Sequence, residues 1–149
     1  MSATSSATAR SSVTYCLDAG VLVRRFEPGY PEVRDLWARF RAARATLVAP
    51  ILLRYEITNA FHRIAKAGEM TKQEARTQLS RALETVIEYH DDSELNLEAA
   101  DIAVRHGLPA TYDAHYLALA QRLGVDLWTT DAKLAKAVGG QLPWVRLAA

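Results

Sequence analysis

The sequence contains one cysteine, Cys16, among 149 residues. A single thiol excludes an internal disulfide and points to reducing surroundings, and its place in the apolar run VTYCL makes it a small buried hydrophobe. Charge of one sign is also missing: 18 Lys and Arg face 17 Asp and Glu, a net charge of +1. That balance makes no case for a strongly basic nucleic-acid binder, so a polyanionic partner has to be held by a local patch. No run approaches the roughly 18 consecutive apolar residues of a membrane span, and the opening SATSSATARSS lacks the apolar centre of a secretory signal. Residues 1–12 therefore read as a disordered tail, residues 13–149 as a single domain, and the protein as soluble and cytoplasmic. No internal repeat or linker is present. Half of the residues are hydrophobic, and a chain of this length buries about two-thirds of its unfolded surface, enough for a core without staples.

The order of elements predicts an α/β fold. VTYCL (13–17), ATLVA (45–49), TVIEY (85–89), VDLWTT (125–130) and WVRL (144–147) read as short β-prone runs. Between them lie helical patterns. Val33, Leu36, Trp37 and Phe40 repeat at i, i+3, i+4 and i+7, and Ile57, Ala60, Phe61 and Ile64 form a second stripe that stops at Gly68. Thr71 and Glu74 have capping-box spacing at the head of TKQEARTQLSRALE. An acidic turn, DDSE, leads into LNLEAADIAVRHG, and LPATYDAHYLALAQRLG turns and then runs as a helix to Gly124. Strands alternating with helices predict a three-layer sandwich around a parallel sheet of four to five strands.

In open parallel sheets ligands bind beyond the carboxyl ends of the strands. Asp18 follows the first strand and Asp131 the fourth, so both belong at that edge. Asp126 opens the fourth strand and falls at the other end. Glu56 lies early in the helix after the second strand and faces the same edge, whereas Asp113, in the first turn of its helix, is compatible with either. Each acid has an ordinary explanation: Asp18 and Asp131 as helix N-caps, Glu56 as a solvated surface residue, Asp113 as a charge favoured by the helix dipole. Convergence of all four has no such explanation. Gathered together without a cation, they predict at least one protonated carboxyl with a raised pKa. All-oxygen ligands suit Mg²⁺ or Mn²⁺, one ion or two. Asp18, Asp113 and Asp131 are the first ion's ligands in this reading, and Glu56 assists a second ion or orients the water. Zinc is disfavoured: Asp113 and His115, two apart on a helix, point to different sides. Phosphate contacts fall to Arg24, Arg25 and Arg63, while Arg34, Arg39 and Arg41 face solvent or a partner. Trp37, Trp128 and Trp144 read as packing residues.

YCLDAGVLV, PILLRYEITNAF, YDAHYLALAQRLG and LWTTDAKL, taken in that order, resemble the four motifs of the PIN-domain ribonucleases, most closely the VapC-like toxins of toxin–antitoxin pairs. The resemblance implies the acidic site Asp18, Glu56, Asp113 and Asp131, with Thr129 and Asn59 in support. It implies a metal-dependent endoribonuclease, a homodimer, and a small VapB-like antitoxin whose tail enters the active-site groove. One position departs: the family commonly has Ser or Thr two residues after the first Asp, and this chain has Gly20. That departure is the sequence support for an alternative, a catalytically weakened module of the same fold that binds RNA or protein. A phospho-accepting receiver domain lacks its paired acids and late-strand lysine here and ranks last.

Overall fold

The computed structural model describes residues 13–148, so the tail assigned to residues 1–12 lies outside the described residues. Five strands form one parallel sheet: β1 (Thr14–Leu17), β2 (Thr46–Pro50), β3 (Glu88–His90), β4 (Asp126–Thr129) and β5 (Val145–Leu147), in the order β3-β2-β1-β4-β5. From β1 the chain lays β2 and β3 to one side, then returns to lay β4 and β5 on the other. The carboxyl ends of β1 and β4 therefore flank the switch point of the sheet, where an open α/β fold leaves a crevice.

Helices cover both faces. α1 (Ala19–Arg25), α2 (Pro31–Ala42), α3 (Leu52–Lys66) and α4 (Lys72–Leu83) precede β3, α5 (Ser93–Arg105) and α6 (Tyr112–Leu123) precede β4, and α7 (Ala132–Val138) precedes β5. Side chains alternate along β1, which shows the layering. The Cys16 thiol lies 3.8 Å from the Tyr116 carbonyl of α6, whereas the Tyr15 ring packs 5.3 Å from Phe40 of α2. One face carries α6 and the other carries α2. The core is continuous through the sheet, with Cys16, Leu17, Leu22, Leu53, Ile57, Leu119 and Leu127 fully buried. Trp37 is buried as its spacing predicts, and its indole N–H donates to the Val21 carbonyl at 2.9 Å. That bond ties α2 to α1 and supplies the indole's otherwise missing partner.

The predicted capping box is present in both directions: Glu74 N–H donates to the Thr71 hydroxyl at 3.0 Å and Thr71 N–H to the Glu74 carboxylate at 3.2 Å. Gly124 ends α6 in the left-handed conformation, φ 66°. Strand ends shift by a residue in several places, and three departures from the sequence reading are larger. The third strand is Glu88–His90 rather than 85–89, because Thr85 N–H still bonds back to Ala82 and Val86 faces solvent. The acidic turn is half helix: Asp92 accepts from Leu95 N–H at 2.8 Å, so α5 starts at Ser93. Residues 19–25, which carried no helix prediction, form α1 with Val21, Leu22 and Val23 buried, because Asp18 caps them. Among the described residues no helix is long and apolar enough to cross a membrane.

Candidate active site

Asp18 leaves β1 with an N–H that still donates to the Trp128 carbonyl of β4 at 3.1 Å. Its Oδ1 accepts from Val21 N–H at 3.1 Å, capping α1, and its Oδ2 accepts the Thr129 hydroxyl at 2.5 Å. Thr129 is fully buried at the end of β4, and its oxygen in turn accepts from Asp131 N–H at 2.9 Å. Asp131 Oδ1 caps α7 through Lys133 N–H at 3.0 Å and Leu134 N–H at 3.1 Å. One threonine thus braces both acids across the switch point. The ordinary reading of Asp18 and Asp131 as N-caps is correct for both, and it leaves Asp131 Oδ2 free of a cap.

Asp113 and Glu56 lie on α6 and α3, which the Tyr116–Glu56 hydrogen bond joins. Asp113 sits in the first turn of α6, half-buried. Glu56 of α3 is also half-buried, and its Oε1 accepts the Tyr116 hydroxyl at 2.5 Å. Burial and then the Asp131 charge push the Asp113 carboxyl up. Burial pushes Glu56 up as well, opposed by the Tyr116 bond and reinforced by the charge of Asp113. Asp18 is pushed up to about 6, chiefly by burial, against its hydrogen bonds to Thr129, Val21 and Thr130, with Asp113 adding repulsion. The Asp113 charge thus raises both Asp18 and Glu56.

One expectation needs correction. Raised carboxyls were expected from mutual repulsion, yet for Asp18, Glu56 and Asp113 burial is the larger cause. Among the described residues no three Asp, Glu, His or Cys side chains gather closely enough to hold an ion. The hydrogen bonds explain this: Asp18, Asp131 and Glu56 each have an oxygen drawn back onto protein donors. His115 is committed elsewhere, with Nδ1 against the Thr111 carbonyl at 2.6 Å and Nε2 against the Asn96 amide at 3.0 Å.

A cavity of about 480 Å³ opens beside the acids between α1 and α3. Gly20, Glu56 and Thr130 stand on its wall with Arg24, Tyr30 and Arg63, while Asp18, Asp113 and Asp131 do not line it. Arg24 lies over the Tyr30 ring at 4.6 Å. Arg25 points away and stacks on Trp37 at 4.4 Å. Asn59 lines a separate hollow with Tyr55 and His62, because the cavity takes the face of α3 carrying Glu56, Ala60, Arg63 and Ala67. Two residues here carried no expectation from sequence. Tyr116 lies three residues after Asp113, the spacing that shares a helix face, so its polar tip was a readable signal. Thr130 is the middle residue of Thr129-Thr130-Asp131, and nothing in the chain order marks its hydroxyl.

Residues 15–140 match the family model described as "PIN domain". The chain is 33% identical over 87 residues to ribonuclease VapC3 of Pyrobaculum aerophilum, a match spanning 57% of this chain and 66% of that protein, just under two thirds of its length. A crystal structure of a protein from Pyrobaculum aerophilum superposes with a TM-score of 0.63 at 28% identity, covering 85% of this chain and 86% of that one.

Proposed function

The chain belongs to the PIN-domain family, and from that membership we propose that it is a divalent-metal-dependent endoribonuclease, the toxin of a toxin–antitoxin pair, built as one domain over residues 13–149. The observation that supports the reading is geometric: Thr129 hydrogen-bonds both Asp18 and Asp131 at the carboxyl ends of β1 and β4, and Glu56 is held by Tyr116 of the helix whose first turn carries Asp113. The name of the VapC3 relative supports ribonuclease chemistry, and the family resemblance supports a homodimer and a small antitoxin whose tail enters the groove.

The donor set fits a hydrated Mg²⁺ or Mn²⁺ better than an ion wrapped entirely by protein, since Mg²⁺ is usually held by one or two carboxylates with several waters retained. Asp18, Asp113 and Asp131 would hold it. The chemistry a bound ion would supply there is polarisation of a phosphodiester and activation of water for in-line attack. Thr129 keeps Asp18 and Asp131 at a constant separation through its two hydrogen bonds. Tyr116 holds Glu56 by Oε1, leaving Oε2 to orient the attacking water or to serve a second ion. Arg24 and Arg63 on the cavity wall would take phosphates of a single strand. Arg25, stacked on Trp37, is the weaker candidate.

Purified protein is expected to cleave single-stranded RNA with Mn²⁺ or Mg²⁺ and to stop when chelator is added, as read on a gel of end-labelled RNA. RNA retained but uncut in either metal would favour the binding-module alternative. For Arg63→Ala, the expected result is uniformly weaker RNA binding and a salt dependence shallower by about 0.7 in log–log slope, the share of one single-strand phosphate contact. An unchanged slope would remove Arg63 from the RNA path.

A further inference from the structure

A chain of near-zero net charge can hold a polyanion only where its positive charge is concentrated, and one such place lies outside the acidic cavity. Arg25 closes α1, Arg41 stands in the last turn of α2 and Arg81 in the last turn of α4. The Arg25 guanidinium lies 4.4 Å from the centre of the Trp37 ring and 5.3 Å from that of Phe26, and the Arg81 guanidinium lies 5.8 Å from the same Phe26 ring. Arg41 follows Trp37 by four residues and shares its side of α2. Two aromatic rings thus gather three cations from three helices. Arg41 and Arg81 are exposed and Arg25 is half-buried. Among the described residues no carboxylate lies within 4.0 Å of any of the three. Burial, and then the charges of Arg41 and Arg81, lower the Arg25 guanidinium from its ordinary value.

One cation near a helix C-terminus is ordinary, favoured by the dipole by about 0.3 to 1 kcal/mol. Three that repel one another around shared rings are not explained that way, and an anion among them removes the repulsion. We propose that Arg25, Arg41 and Arg81 form a second phosphate site, which holds the backbone of the RNA outside the cleavage cavity. The inference rests on the ribonuclease reading above for the identity of the ligand. α1 joins the two places: Asp18 caps its first turn and Arg25 is its last residue, about 10 Å further on at 1.5 Å per residue. A stacked strand covers that interval in about three nucleotides at roughly 3.4 Å each. Stacking on Trp37 fixes the plane of the Arg25 guanidinium and leaves its N–H edge for phosphate oxygens. With the rings covered by cations, the site positions the backbone and reads no base.

The test is equilibrium binding of labelled oligo(U) and oligo(A) of increasing length to the full chain in chelator, at several salt concentrations. The variant carries Arg41→Gln and Arg81→Gln together, both on exposed side chains, and its melting temperature should equal or exceed the native one because repulsion is relieved. Oligomers of about three nucleotides or fewer, too short to span the interval, should bind both proteins alike. Longer ones should bind the variant more weakly, whichever base they carry, with a log–log salt slope shallower by about 0.7 for each arginine replaced. A slope that stays native at every length overturns the inference. So does an equal loss for the shortest oligomers, which would put these arginines in the path of the cleavage cavity. A drop in the mass of the variant by light scattering, with RNA binding unchanged, would assign the cluster to a contact between copies of the chain instead. Cleavage with Mn²⁺ separates the two levels. If the native chain cuts RNA while the variant keeps the native slope, only this inference fails. If the slope falls as expected but the native chain cuts nothing with either metal, the phosphate site stands and the nuclease reading fails.

Discussion

Asp18→Asn is expected to lower the rate of RNA cleavage by at least about a hundredfold while leaving the metal-free protein as stable as the native chain or more so. The activity estimate follows from hierarchy: loss of an outer partner of a metal site costs about 10- to 100-fold, and a direct ligand stands at or beyond the upper end. The stability argument follows from burial. Asp18 is pushed up to about 6, so near neutral pH its charge opposes folding. Asparagine keeps an oxygen for Val21 N–H, the contact that caps α1. A core defect would lower activity and melting temperature together; here the two should move apart. Asp126→Asn is the control. Asp126 opens β4 at the far edge of the sheet and pairs with Arg146 at 2.8 Å, so its loss should leave cleavage within about twofold of native, as for an ordinary surface substitution. Native-level cleavage by Asp18→Asn would reject the assigned chemistry.

The second large effect is a dependence of stability on metal that itself depends on pH. A carboxyl raised in the folded state favours folding when protonated. Its contribution is fully present below the unfolded value near 4 and is lost as pH rises through about 6 for Asp18. At about 1.4 kcal/mol per unit, Asp18 alone accounts for a loss on the order of 3 kcal/mol across that window in chelator. Glu56 and Asp113 are raised in the same direction and add to it. Asp92 has the opposite sign: Arg122 holds it at about 2, so its contribution is lost only as pH falls through that value, outside the window. A cation binds the deprotonated carboxylates and reverses the loss. At a hundred times its Kd, Mn²⁺ contributes about 2.7 kcal/mol, a rise of about 5 to 10 °C for a chain of this size. The rise should be nearly complete at pH 7.5 and largely gone at pH 5, where protons compete. Melting curves with and without Mn²⁺ at both pH values check this, and a shift independent of pH would place the metal on groups other than these acids.

Which parts of the site were legible in the sequence follows from which contacts are local. Asp18 and Asp131 directly follow strands, so a parallel sheet sends both to one edge whatever its strand order. Their capping of α1 and α7 is equally local. Asp113 was not placeable, because the start of a helix between two strands fits either edge. Only the docking of α6 on β1, β2 and β4 decides it. The causes of the raised carboxyls were invisible for a related reason: charges can be counted in a sequence, but burial is a property of the fold. Tyr116 and Thr130 bond or face residues 60 and 110 positions away, across separate helices. The misjudged third strand shows the same limit on a smaller scale. TVIEY has strand composition, yet its first residues complete the turn out of α4 and β3 pairs on one side only, with β2.

The measurement that bears most directly on the account is anomalous diffraction from crystals of the native chain soaked in Mn²⁺ near pH 7.5. An ion bonded to Asp18 and to at least one of Asp113 and Asp131, with waters completing its shell, is the predicted result. Manganese found only at other acids, such as Asp92 or Asp126, with Asp18 still turned onto Thr129 and Val21, would contradict it.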